Sequence, residues 1–257
     1  MTSKVQRKHH GRLIDTSVRI DTTTDRAWSA WTDPQEIANW FVDRAEGSAA
    51  PGEVMTWFFD TFNYRQPVPV IEAQPGSTFV IGSGDTPGPQ GLPYLLEILI
   101  ERDGGSTVVR LLNSGFSPDA KFDDEFEGVV SGWKMALGTL KYWLEHHDRV
   151  KRTHALVIEP AQYEWSALTA LFTTREGRRR WLEPSLPADA ATLVDTGREV
   201  LLAWPQRQGV VGLKAFRMGP QPVVALELSS WPTPAQQPLD LRAELHASLI
   251  RLKAVLG

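Results

Sequence analysis

Between Gly128 and His147 (GVVSGWKMALGTLKYWLEHH) apolar side chains return at steps of three and four. Trp133, Leu137, Leu140, Trp143 and Leu144 share one face of a helix, and Lys134, Lys141 and Glu145 fall mostly on the other. Asp123, Asp124, Glu125 and Glu127 crowd in just before it, where negative charge suits the positive end of the helix dipole. Upstream, Arg12–Asp21 reads as a strand, with Val18 and Ile20 alternating against Arg19 and Asp21. Thr22–Asp25 then offers helix caps, Thr24 or Asp25 being the expected acceptor. The helix that follows carries Ala27, Trp28 and Trp31 and stops near Pro34, which opens a second short helix, PQEIANWF, with Ile37, Trp40 and Phe41 on its apolar face.

The next part reads mostly as antiparallel strands. GEVMTWFF (52–59), VPVIEA (68–73) and STFVIG (77–82) are rich in strand formers. Residues 83–93 have the composition of a loop. YLLEILIE (94–101) and TVVRLLN (107–113) flank Asp103-Gly104-Gly105, a strong hairpin signal. Leu96, Ile98 and Ile100 alternate with Glu97 and Glu101, so one face of this sheet is expected to be wet.

At residue 150 the order starts again. HALVIE (154–159) is a strand whose Leu156 and Ile158 match Val18 and Ile20. Trp165-Ser166-Ala167 repeats Trp28-Ser29-Ala30, and Trp181-Leu182 repeats Trp40-Phe41. Strand-like runs at 199–204, 210–217 and 223–231 precede a proline-rich break at 232–238. A final helix from Leu239 to Leu256 carries Leu241, Leu245, Leu249, Leu252 and Leu256 on one stripe. The pattern predicts a tandem duplication with a shorter second copy, divided as 1–149 and 150–257.

Composition narrows the classes. With 257 residues, 42% hydrophobic and 23% charged, the chain is expected to be globular and not disordered. A net charge of −4 gives no electrostatic footprint for nucleic acid or an anionic membrane. The absence of cysteine excludes disulfides, thiolate metal sites and a cysteine nucleophile, and fits a cytoplasmic location. No apolar run reaches the roughly 18–20 residues of a membrane span. The basic start MTSKVQRKHHGR lacks the apolar core of a signal peptide and reads as a frayed tail. Ten tryptophans suit either aromatic-lined pockets or filled cores.

The ordered set TDRAWSAWT (24–32), Asp33-Pro34-Gln35-Glu36, Asn39-Trp40-Phe41, Val70-Ile71-Glu72 with Gln74-Pro75, Asn113-Ser114-Gly115-Phe116 and Gly132-Trp133 resembles the SRPBCC (START-like, helix-grip) superfamily. Within it, the nearest likeness is to the group named after the activator of a heat-shock chaperone ATPase. The likeness covers about 135 residues, and the second half follows it only in its helical tryptophans and order. It implies an α+β chain of two tandem helix-grip domains. Each would be a curved antiparallel sheet wrapped around a long C-terminal helix, the second abridged. Family members hold hydrophobic or amphipathic molecules between sheet and helix; some are cyclases or hydrolases, others only bind ligands or proteins, and fold does not choose among these.

On that fold the expected ligand-binding residues are Trp40, Trp57, Phe59, Leu96, Ile98, Val109, Leu111, Trp133 and Leu137. They either line a pocket or fill a core, and a slip of one residue in strand register would exchange the set. Tyr94, Arg110, Asn113 and Lys134 are candidate polar anchors. Catalytic chemistry is less visible. The histidines at 9, 10, 146, 147, 154 and 246 form no metal-ligand spacing, and no Gly-x-Ser-x-Gly elbow is present. His146 and His147 read as helix-end charge, the acidic run 119–127 as solvated, and Arg175 with Arg178–Arg180 as a solvated face or partner contact. Gly82–Gly91 lacks the Lys-Ser/Thr of a phosphate loop. No metal or other cofactor is expected. The expected function is non-enzymatic binding of a small apolar molecule. A chaperone-associated interaction module is the alternative, and a cyclase or hydrolase comes last because no titratable groups can be placed inside the cavity.

Overall fold

A computed structural model describes residues 8–88, 90–160, 165–182, 190–218, 221–232 and 240–256. The tail through residue 7, the proline-rich stretch 233–238 and Leu239, the expected start of the last helix, lie outside the described residues. The chain divides into two compact units, Met1–Ile37 with Arg44–Val130, and Ala38–Asp43 with Ser131–Gly257.

In the first unit β1 (Arg12–Ile20) leads into α1 (Thr24–Thr32) and α2 (Pro34–Ile37). Six strands follow: β2 (Arg44–Gly47), β3 (Val54–Phe59), β4 (Tyr64–Gln74), β5 (Thr78–Pro87), β6 (Pro93–Asp103) and β7 (Ser106–Phe116). Among the described residues they form one antiparallel sheet in the order β1-β7-β6-β5-β4-β3-β2. Two-residue periodicity fixes its register: Val18 faces Val109, Ile98 faces Leu111, and Leu96 faces Ile81. The β6–β7 hairpin turns on Gly104, at φ 62°, a backbone region that glycine enters freely.

Several boundaries differ from expectation for physical reasons. The side chain of Thr23 accepts from the Arg26 N–H at 3.2 Å, so Thr23 is the cap of α1, and Thr24 and Asp25 are already helical. The expected loop 83–93 is partly strand, since β5 runs to Pro87, which pairs with Pro93 beyond a register shift. The four-residue strand β2 (RAEG) carries no apolar alternation and gave no sequence signal. The second short helix ends at Ile37 instead of Phe41. The long helix α3 (Asp123–His146) starts five residues before Gly128. There Asp123 meets Arg12 of β1 at 2.6 Å, and the Phe126 ring meets Phe116 of β7 edge-on at 5.3 Å.

The second unit repeats the plan with fewer strands. It holds β8 (Thr153–Pro160), α4 (Trp165–Thr173), α5 (Arg175–Leu182), β9 (Thr192–Asp195), β10 (Glu199–Trp204), β11 (Gly209–Met218), β12 (Gln221–Ser230) and the long helix α6 (Leu241–Leu256). Its sheet order is β8-β12-β11-β10-β9, so the opening strand again pairs with the last one. Each antiparallel sheet is thus accompanied by a long helix, the helix-grip plan of an α+β chain.

One face of the second sheet (Val200, Leu202, Leu213, Leu226) packs with Phe172, Trp181, Leu245, Leu249 and Leu252 of α4, α5 and α6. Gly177 lets α5 approach α4, since a Cβ there would lie 2.4 Å from the Ala170 carbonyl oxygen. A recess under α6 measures about 10 Å³, room for about one water. The opposite face meets α3 from Ser131 onward. A Cβ at Gly138 would lie 2.5 Å from Val194 and 3.1 Å from Leu201. Burial on both faces explains why EVLLAW (β10) is buried at every position and shows no alternation.

Candidate functional site

Six of the nine expected ligand residues lie on one face of the first sheet. Trp57 and Phe59 come from β3, Leu96 and Ile98 from β6, Val109 and Leu111 from β7, and the register carries the face across the sheet through Val68, Val70 and Ile81. All are buried except Phe59, which is half-buried and stacks on Tyr64 at 6.1 Å. Trp40, Trp133 and Leu137 are buried in the second unit. Of the candidate anchors, Tyr94 and Asn113 share the apolar face and hydrogen-bond to each other. Burial raises the Tyr94 pKa, with Asn113 opposing, so its hydroxyl keeps its proton. Asn113 also donates to the Leu95 carbonyl at 3.0 Å. Arg110 lies on the exposed side in a two-pronged pair with Asp15 (2.8 and 2.5 Å), and Lys134 is exposed.

A polar cluster that sequence reasoning missed lies in the second unit. His154 (β8) faces Asp43 with Nδ1 at 2.9 Å and Glu227 (β12) with Nε2 at 3.1 Å. Glu227 also pairs with Lys214 of β11. Glu199, opposite Lys214 in the register, accepts from the Ser131 hydroxyl of α3 at 3.0 Å. Arg152 is buried and donates through Nη2 to the Val42 carbonyl at 2.5 Å. Burial pushes the Glu199 pKa up against the pull of Lys214 and Ser131. Burial also works against the charge on Glu227, but Lys214 and His154 outweigh it and hold that carboxyl well below the usual range. Carboxyls pushed apart in this way are a feature of acid–base sites. Here, however, the charged groups bond to one another and to backbone, so the cluster joins elements together. A lone charge inside the apolar runs VGLKAF (211–216) and VVALEL (223–228) was the available signal.

A serine, a histidine and a carboxylate also meet on the outer face of the first sheet. His9 lies 3.3 Å from the Ser114 hydroxyl and 3.4 Å from Glu97. Ser114 is wholly buried, and a nucleophile there has no surface open to a substrate. His147, expected as helix-end charge, stacks on Trp231 at 5.2 Å, and burial together with His146 lowers its pKa. Arg178 donates to the Phe172 and Thr173 carbonyls at 3.0 Å each, satisfying the end of α4. Among the described residues no group of three or more His, Asp or Glu is placed to hold a metal ion. No described helix is long and apolar enough to cross a membrane.

Residues 21–145 match the family model described as Activator of Hsp90 ATPase homolog 1-like protein. This stretch is an AHSA1 domain. It runs from just before α1 to the penultimate residue of α3, so the second sheet lies beyond the match. No curated protein matches the chain. Among solved structures, the Aha1 dimer from Colwellia psychrerythraea is similar at 18% identity, covering 52% of this chain and 96% of that one, with a TM-score of 0.46. CalU16 from Micromonospora echinospora is similar at 23% identity over 50% and 73%, with a TM-score of 0.39. DynU16, a protein in the dynemicin biosynthetic locus, is similar at 14% identity over 95% of each chain, with a TM-score of 0.45.

Proposed function

We propose that the AHSA1 domain binds a small hydrophobic or amphipathic molecule, without catalysis, against the face formed by Trp57, Phe59, Leu96, Ile98, Val109 and Leu111. The observation that carries this reading is the make-up of that face, which is apolar and buried apart from Phe59, with one polar pair, Tyr94 and Asn113. Apolar walls with few polar anchors are what small-molecule sites present. The second module, 150–257 by its sequence repeat, is mainly structural in this reading, which the small recess under its final helix supports.

Titration with dodecanoate, followed by tryptophan fluorescence, tests the proposal. Saturable binding is expected. Ile98→Trp or Leu111→Trp should abolish it in protein that keeps its circular dichroism, and Tyr94→Phe should weaken dodecanoate more than dodecane. Equal binding by all variants would count against the site.

A second reading, interaction with a chaperone, draws support from the family's description and from Val54, Phe62, Tyr64 and Ile71. These apolar side chains are exposed along β3, β4 and their connection. Under that reading Phe62→Ser with Val54→Ser would abolish chaperone capture and leave dodecanoate titration unchanged.

A further inference from the structure

We propose that residues 38–43 form a strap fastened by three side chains of the second unit, Arg152, His154 and Trp231, which thereby position the Trp40–Phe41–Trp133 ring stack. The strap does not depend on ligand binding. After Ile37 the chain leaves the helix, and its polar groups find partners on the second unit. The Asn39 carbonyl accepts from the Trp231 indole N–H at 2.8 Å, and the Val42 carbonyl from Arg152 Nη2 at 2.5 Å. The Asn39 side-chain oxygen lies 3.4 Å from the Arg152 backbone nitrogen, and Asp43 lies 2.9 Å from His154.

Between these fastenings are the two aromatic residues. Phe41 stacks on Trp40 at 5.2 Å and on Trp133 at 5.3 Å, with ring planes 28° and 22° from parallel. Arg152 is the telling member. Its guanidinium is buried, and burial lowers its pKa against the pull of Glu227 and Asp43. A buried cation is a poor way to gain stability compared with an apolar side chain, but it defines a direction. Here it fixes Val42, and through the peptide chain the neighbouring Phe41. His154 adds a second fixed point one residue further on, and Trp231 a third on the other side of the rings. All three act through the strap and are positioning residues.

The test uses the full chain with 4-fluorophenylalanine incorporated at Phe41 and read by fluorine NMR. The two flanking indoles should shift the resonance by ring currents. Trp231→Phe removes the indole donor and trims a buried ring that also stacks on His147, and His154→Gln keeps a hydrogen-bonding side chain of similar reach. Each is expected to move the Phe41 resonance at least half of the way to its unfolded position. The same label at Phe172, on the other face of the second sheet, should stay in place. Arg152→Met should move the Phe41 signal further, and if it does not fold, the two milder variants decide. A Phe41 resonance unmoved in both of them would overturn the proposal. So would an equal displacement at Phe172, which would mean general loosening.

Discussion

The Ser131 hydroxyl of α3 donates to Glu199 Oε2 of β10 across 3.0 Å, although the two residues are 68 positions apart in sequence. Burial of that carboxyl favours its protonated form, against the pull of Lys214 and of the bond itself. In the unfolded chain Glu199 ionises near 4.5, whereas in the fold it does so at higher pH. The unfolded state therefore releases its proton first, and Glu199 costs stability increasingly as pH rises from 4.5 to the raised value. Glu199→Gln keeps an acceptor for Ser131 and removes that cost. Urea denaturation should show the variant matching the parent below pH 4.5 and exceeding it at neutral pH. A variant less stable at neutral pH would contradict this.

Glu227 behaves in the opposite way. Its carboxylate is held well below the ordinary 4.5, so its contribution is present above that pH and is lost as pH falls below it. Glu227→Gln strands Lys214 and the imidazole of His154. The expected loss at neutral pH is about 3 kcal/mol, the low end for breaking a buried pair, because about a quarter of each partner's side chain is open (23% and 24%). The gap to the parent should narrow as pH falls below 4.5.

Two glycines of α3 separate helix propensity from packing. Nothing lies within 4 Å of where a methyl at Gly132 would stand, and Gly132→Ala should stabilise by up to about 1 kcal/mol. At Gly138 the same methyl would meet Val194 and Leu201, so Gly138→Ala should destabilise by about 1–3 kcal/mol despite the better propensity. Thermal melts of the pair with opposite signs are the expected result.

Capping gives a local check on the first unit. Thr23→Ala should cost about 1 kcal/mol, and Thr24→Ala only a few tenths of that, since Thr23 alone accepts from the Arg26 N–H as the cap. Equal losses would move the cap back to where sequence reasoning put it.

Much of the fold was legible because its elements have clean periods. The two-residue alternation of β1, β6 and β7 and the leucine stripe of α6 each announce one buried face. What escaped has two buried faces or none. On α3, Trp133, Leu137, Leu140, Trp143 and Leu144 were evident, but Ser131, Met135, Gly138 and Tyr142 are buried too. Their spacing of four, three and four is helical, yet a serine, a glycine and a tyrosine do not read as an apolar stripe. The mid-helix glycine was the signal, because it needs a packing reason. The segment 38–43 continued an amphipathic pattern as far as Phe41, and only the distant partners Arg152 and Trp231 explain why it leaves the helix. Of the nine expected ligand residues, six share one face of the first sheet, whereas Trp40, Trp133 and Leu137 belong to the second unit.

Methyl NMR of the full chain during dodecanoate titration tests the central claim most directly. Saturable shifts at the Leu96, Ile98, Val109 and Leu111 methyls, with Ile158 and Leu249 of the second unit unmoved, are the predicted result. Unchanged spectra at those four positions, or shifts confined to the exposed methyls of Val54 and Ile71, would contradict it.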